Sequence, residues 1–443
     1  MSRLLHRSFE APPPMVESGR GIWLRLASGQ DVLDGSGGAA VACLGHGHER
    51  VIAAIEAQSR RVAYAHTSLF SSHPAEDLAD LLLAGEPGGL SHAFFVSSGS
   101  EAMEAALKLA RQYFVERGEL ERTQFIARRQ SYHGNTLGAL AAGGNRARRA
   151  LYEPILSPVF SHVSPCFAYR FQRAEETEAD YVARLAAELE AEFRRLGPHR
   201  VIAFIAEPVV GATTGCVPPA AGYFQAVREI CERYGALLIL DEVMCGMGRT
   251  GTLHAWEQEG IPPDIQVIAK GLGGGYQPIG GILIGRQVAA ALARGSGRFV
   301  HGHTYQAHPV ACAAALAVQQ VIREDDLLAN VRSMGARLEA GLAERFGTHP
   351  HVGDIRGRGL FRALEFVSER STKTPFAPGL RVHERVKDKA LAFGLAIYPM
   401  GGTIDGKAGD HIIIAPPYTI DENGIDLIVS RLRAAVDAAL ASL

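Results

Sequence analysis

Three short, almost uninterrupted apolar runs narrow the fold most: Val201 to Ala206, Ala236 to Leu240 and Ile265 to Ala269, each separated from the next by a stretch of helical or loop length. Runs this short and this rich in Val, Ile and Leu suit parallel strands covered on both faces by helices. The alternation predicts an α/β fold with a doubly wound, mostly parallel sheet, and in such sheets ligands sit beyond the carboxyl ends of the strands. The residues expected at those ends are Glu207, Asp241 and Lys270.

Flanking segments extend the pattern. Ala93 to Val96 reads as a buried strand, followed at once by Ser97-Ser98-Gly99-Ser100 and a helix from Glu101 to Glu116 that stops at Arg117-Gly118. Ser98 and Glu101 have the spacing of a capping box. Residues 20 to 34 read as two strands joined at Ser28-Gly29, and a long helix from about Pro309 leads into a mixed segment with strands near Leu360 to Phe366 and Ile412 to Ala415. The expected organisation is a large domain over 61–305 and a smaller α+β domain assembled from both termini, 1–60 and 306–443.

Composition excludes several function classes. Forty-five Lys and Arg against 47 Asp and Glu leave a net charge of −2, which offers no basic footprint for nucleic acid or an anionic membrane. The short runs at Arg146, Arg148 and Arg149 and at Arg194 and Arg195 read as solvated helix faces. Six cysteines without any C-x-x-C pair argue against a zinc ribbon or a disulfide framework, and the histidines of His46-Gly-His48 and His301-Gly-His303 have no carboxylate or cysteine to complete a metal site. Residues 1 to 14 lack an apolar h-region, and no stretch of 18 apolar residues occurs, so a cytoplasmic location is expected.

A strand that ends in Ser-Ser-Gly-Ser and opens a helix gathers free backbone N–H groups at the positive end of a helix dipole, a natural place for phosphate. It is not a P-loop, because no Gly-Lys-Ser/Thr follows. Asp241, at the mouth of a buried strand, needs something positive facing it. Lys270 enters the small-residue loop Gly271-Leu272-Gly273-Gly274-Gly275, where a ligand can approach the backbone closely. A phosphate cradle, a strand-end carboxylate and a strand-end lysine are together the fixings that pyridoxal 5′-phosphate requires: a Schiff-base lysine, and a carboxylate that keeps the pyridine nitrogen protonated. Tyr132-His133-Gly134, after the expected strand Phe125 to Ala127, supplies an aromatic face for the ring.

With these motifs in view, the sequence resembles the class III (ω-) aminotransferases, a group that includes ornithine, 4-aminobutyrate and amine:pyruvate transaminases. The resemblance runs from about residue 15 to 440 and is most specific at Leu240-Asp241-Glu242-Val243, Gly248-Arg249-Thr250-Gly251 and Ala269-Lys270-Gly271-Leu272-Gly273-Gly274-Gly275. It implies a fold-type I enzyme that passes an amino group from a primary amine or ω-amino compound to a keto acid such as pyruvate. By matched motif it implies that Lys270 carries the cofactor and moves the proton, that Asp241 binds the pyridine nitrogen, that Val243 and Tyr132 sandwich the ring, and that Gly99 and Ser100 bind phosphate. Glu207 matches a glutamate near the phenolic oxygen, and Thr304 matches a threonine that reaches the phosphate of the neighbouring subunit. The resemblance therefore implies a homodimer with shared active sites, or a tetramer of such dimers.

Two departures bear on specificity. Relatives that accept ornithine or ω-amino acids commonly carry an Arg after the aromatic-x-Gly motif, where this chain has Asn135. No Arg stands between Tyr398 and Asp410, ahead of Pro416-Pro417, where another carboxylate-binding Arg is expected; Lys407 is the one cation there. An amino-acid epimerase or decarboxylase of the same fold is the alternative reading. A nicotinamide dehydrogenase is not supported, since no early Gly-x-Gly-x-x-Gly is present.

Overall fold

The computed structural model describes residues 3–8, 12–441 and 443, so the parts of the expected 1–60 segment and of the stretch 1–14 that fall on residues 1, 2 and 9–11 lie outside the described residues, as does residue 442 of the expected 306–443 segment. Fifteen strands are formed by these residues. In chain order they are β1 (Val16–Arg20), β2 (Trp23–Leu26), β3 (Asp31–Asp34), β4 (Leu90–Val96), β5 (Gln124–Arg128), β6 (Phe160–Val163), β7 (Val201–Ala206), β8 (Leu237–Asp241), β9 (Ile265–Ile268), β10 (Gly280–Gly285), β11 (Val352–Arg358), β12 (Phe361–Phe366), β13 (Leu395–Ala396), β14 (Tyr398–Gly401) and β15 (Asp410–Ile414).

The central sheet has seven strands in the order β4-β10-β9-β8-β7-β5-β6. All run the same way except β10, which pairs antiparallel with both neighbours. Alternate residues of each central strand serve different helical layers, as a period of two demands. Ile205 and Ile239 join Leu109 and Phe114 of the helix Gly99–Glu116, while Phe204, Leu238 and Leu240 join Leu189 and Phe193 of Glu178–Leu196 and Val227 and Ile230 of Tyr223–Tyr234. Each large side chain so buried is worth about 1.5–3 kcal/mol. Two-sided burial therefore explains why these strands read as continuous apolar runs.

The termini share a second core. The strands β1 to β3 form an antiparallel meander that β13 joins in parallel beside β3, and Leu33, Leu44 and Val51 pack with Val331, Leu338, Ile412, Ile428 and Leu432. The remaining strands form the antiparallel sheet β11-β12-β15-β14.

Local expectations need correction at three places. The strand expected near Leu360 to Phe366 is β12, the second arm of a hairpin whose first arm, β11, carries no comparable apolar run and ends at Arg358. Gly359 makes the hairpin turn at φ +54°, and a Cβ there would stand 2.7 Å from the Thr250 backbone. The strand β10 gave no strand signal because Gly280, Gly281 and Gly285 dilute it. Arg148 does not sit on a solvated face: it is half-buried, its guanidinium 4.6 Å over the Tyr132 ring.

Candidate active site

The carboxyl ends of β4, β7, β8 and β9 open onto one cavity of about 380 Å³, lined by Ser97, Ser98, Gly99, Ser100, Tyr132, His133, Glu207, Asp241, Val243 and Lys270 among others. Nine of the ten residues that sequence reasoning assigned to the site therefore meet at one place. The exception is Thr304, which is exposed and does not line this cavity; its carbonyl accepts a hydrogen bond from the Tyr64 hydroxyl at 2.9 Å.

Ser98 is the N-cap of the helix Gly99–Glu116, its Oγ accepting from the Glu101 amide at 3.2 Å. The return half of the expected capping box is displaced by one residue, because the Glu101 carboxylate accepts from the Ser97 amide at 2.7 Å. Both bonds fix the Ser97–Ser100 turn at a helix N-terminus. At Gly99 a Cβ would lie 3.0 Å from Val243 Cγ1, so the loop and Val243 are in direct contact. Ser100 Oγ accepts from the Asn135 amide at 3.0 Å, which ties the Tyr132–Gly134 turn to the same loop.

Asp241 is buried, with Oδ1 accepting from the Val243 amide at 3.0 Å and Oδ2 lying 2.8 Å from His133 Nδ1. The group facing Asp241 is thus an imidazole, with Lys270 as the nearby cation. His133 Nε2 is buried without a partner.

Behind these groups the backbone is held by polar cores. Glu242 accepts from the Ala255 and Trp256 amides at 2.7 Å each and from Gln266 Nε2 at 2.9 Å, although burial still pushes its carboxyl up to about 8. Buried Arg249 donates to the carbonyls of Leu360 (3.1 Å) and Pro416 (2.5 Å) and stacks 4.5 Å from the Tyr418 ring, pinning the loop after β8 to the turn before β12 and to the segment after β15.

Lys270 follows β9 in a left-handed backbone conformation, φ +46°, a strain of about 1–3 kcal/mol that surrounding packing must hold. Desolvation lowers its amine to about 8, against the opposing pull of the Asp241 and Glu207 charges. Glu207 is buried and pushed up to about 7 by desolvation, and its Oε2 has no partner.

The residues present fit pyridoxal phosphate. A helix N-terminus with Ser hydroxyls suits the phosphate. A buried carboxylate and a depressed lysine suit the two ends of the ring system, and the unpartnered His133 Nε2 and Glu207 Oε2 leave polar capacity around it. Sequence reasoning missed Val41, Gln277, Pro278 and Ile279, which complete the lining from the amino-terminal segment and from beyond the glycine loop. No local signal marks them, because only the tertiary fold brings them to the strand ends. Lys407 is exposed, its amide donating to Asp405 Oδ1 in a surface turn. Gly38 lines an adjoining cavity of about 770 Å³ that shares Val41 and Gly275 with the first.

This fold and site define a fold-type I pyridoxal-phosphate enzyme. The family model for class-III aminotransferases matches residues 6–436, and the chain belongs to that family; it is a pyridoxal-phosphate-dependent transaminase. An uncharacterized aminotransferase of Schizosaccharomyces pombe is 49% identical over 440 residues, covering 99% of this chain and 96% of its own. A diaminobutyrate–2-oxoglutarate transaminase of Halomonas elongata is 35% identical, covering 97% and 91%. Among solved structures, the ω-transaminase of Pseudomonas jessenii in complex with PMP superposes with a TM-score of 0.93 at 33% identity, covering 100% of this chain and 97% of that one. The epimerase or decarboxylase alternative is not favoured by these likenesses.

Proposed function

We propose that the chain transfers an amino group from a primary amine or ω-amino compound to a small keto acid, pyruvate foremost. Pyridoxal phosphate, when bound, supplies the electron sink that lets a proton leave the carbon bearing nitrogen. Lys270 holds the cofactor and carries that proton on Nζ; an amine near pH 8 is neutral in a useful fraction of molecules at neutral pH and can act as base and then as acid. Asp241, oriented by His133 and the Val243 amide, keeps the pyridine nitrogen protonated. Val243 and Tyr132 flank the ring, and Ser98, Gly99 and Ser100 receive the phosphate.

Glu207, carrying a proton for much of the time at neutral pH, faces the phenolic oxygen. Thr304 serves the site of a second copy, which makes the working unit a homodimer. Free buried thiols at all six cysteines suit a reducing, cytoplasmic setting, and no helix among the described residues is long and apolar enough to cross a membrane.

The observation that carries this reading is that Asp241 and Lys270, at the ends of the adjacent strands β8 and β9, open onto one cavity roofed by the Ser97–Ser100 turn. Borohydride reduction of the cofactor-loaded protein, followed by peptide mapping, should place the cofactor on the peptide containing Lys270. A label on any other lysine removes the assignment.

A further inference from the structure

A keto acid brings a carboxylate into a cavity that already holds Asp241 and Glu207. An anion there is disfavoured unless a cation faces it. Of the lining residues only Lys270 is a cation free of a structural pair, and its amine is committed to the cofactor and the proton. The positions 135 and 398–410, where an arginine would be looked for, hold none.

One guanidinium beside the cavity is not neutralised. Arg148 lies 4.6 Å over the ring of Tyr132, a cavity-lining residue, and its Nη2 is 3.9 Å from Met400 Sδ on β14. Among the described residues no carboxylate pairs with it. Its neighbour Arg149 is already engaged, donating to the carbonyls of Leu140, Ala141 and Gly143 and pairing with Glu153.

These bonds, with the Asn145 side chain accepting from the Arg148 amide at 3.1 Å, hold the turn that carries Arg148 in place. A planar guanidinium laid on an aromatic face keeps its N–H edge available for a bidentate carboxylate. Arg7 is the other cation whose charge acts on Tyr132, from an exposed position in the amino-terminal segment.

We propose that Arg148, stacked on the cavity-lining Tyr132, binds the carboxylate of the amino-group acceptor, and that this single guanidinium favours a monocarboxylate over a dicarboxylate. The proposal rests on the transaminase reading of the site given above. It makes Arg148 a substrate-binding residue whose removal separates the two halves of the reaction.

The test uses cofactor-loaded wild type, Arg148→Gln, Arg148→Lys and Arg7→Gln, each first checked for unchanged cofactor content and thermal midpoint. Transfer out of an amine that lacks a carboxylate and transfer into pyruvate are followed as separate half-reactions. Arg148→Gln should lower kcat/KM for the pyruvate half about 30-fold or more, mainly through KM, while the amine half changes less than about twofold. Arg148→Lys should recover part of the loss.

Calorimetric binding of propionate, a non-reacting monocarboxylate, should weaken by a similar factor in Arg148→Gln. Equal loss in both halves, an unchanged pyruvate half, or a loss found in Arg7→Gln instead would overturn the assignment. Should wild type pass no amino group to any keto acid, the functional reading fails, whereas the propionate dissociation constant still reports on Arg148.

Discussion

His133 Nδ1 stands 2.8 Å from Asp241 Oδ2, and both side chains are buried. The pair joins the Tyr132–Gly134 turn after β5 to the end of β8, so that the residue expected to bind the pyridine nitrogen is held from two sides, by this imidazole and by the Val243 amide at 3.0 Å. A carboxylate held in this way spends nothing on reorientation when it meets its partner. In the proposed function, His133 is a positioning residue that acts through Asp241.

Replacing His133 with Leu should lower kcat about 10- to 100-fold while leaving the cofactor attached to Lys270. Asp241→Asn should be more damaging, because the ring nitrogen then loses its charged partner. The comparison is made by steady-state kinetics alongside the cofactor absorption spectrum. A His133→Leu enzyme with unaltered kcat contradicts the positioning role.

Stability of the cofactor-free protein should carry the signature of Glu207. Its folded pKa of about 7 lies above the ordinary carboxyl value of 4.5, so between those limits the folded state holds a proton that the unfolded state has released. Stability is full below about pH 4.5 and falls as pH rises toward 7, by at most about 3 kcal/mol. Lys270 acts in a different window: with a folded value near 8 against 10.5, its contribution is restored only as pH climbs from about 8 to 10.5. Urea midpoints across pH should show Glu207→Gln losing the slope between 4.5 and 7; a parallel profile would refute it.

Gly99 faces Val243 with room for nothing more, a Cβ meeting Cγ1 at 3.0 Å and Ala269 Cβ at 3.5 Å. Gly99→Ala should push the Ser97–Ser100 turn and Val243 apart. Cofactor affinity should fall about 10-fold, and the cofactor-free protein should lose about 1 kcal/mol. Equilibrium dialysis and thermal unfolding measure the two effects separately, and an unchanged dissociation constant would show that the turn does not hold the phosphate.

All six cysteines are buried and unpaired, with burial pushing the thiols up to about 11 at Cys166 and about 12 at Cys43, Cys231 and Cys312. None should react with a thiol reagent until the protein unfolds, because the thiolate is the nucleophile and burial suppresses it. One rapidly titrating thiol in the native protein would contradict this packing.

The parts legible in the sequence were those fixed by local chemistry. The strands β7, β8 and β9 showed as apolar runs because both faces are buried, and Glu207, Asp241 and Lys270 followed from their ends. Ser98 to Ser100 followed from a strand–turn–helix junction. What could not be read depended on contacts distant in sequence. His133 was placed near the cofactor, but its bond to Asp241 spans 108 positions. Arg148, in a run of arginines with the composition of a solvated face, is drawn inward by Tyr132 and Met400, residues that no local pattern connects to it. The antiparallel β10 was hidden by its own glycines.

The central claim is tested most directly by a single-turnover experiment on cofactor-loaded protein. The enzyme is treated with an amine donor, freed of that donor and its carbonyl product, and then given pyruvate. The account predicts one equivalent of alanine per subunit, with recovery of the original cofactor spectrum, in wild type and none in Lys270→Ala. Failure of wild type to form alanine, or equal formation by Lys270→Ala, would contradict it.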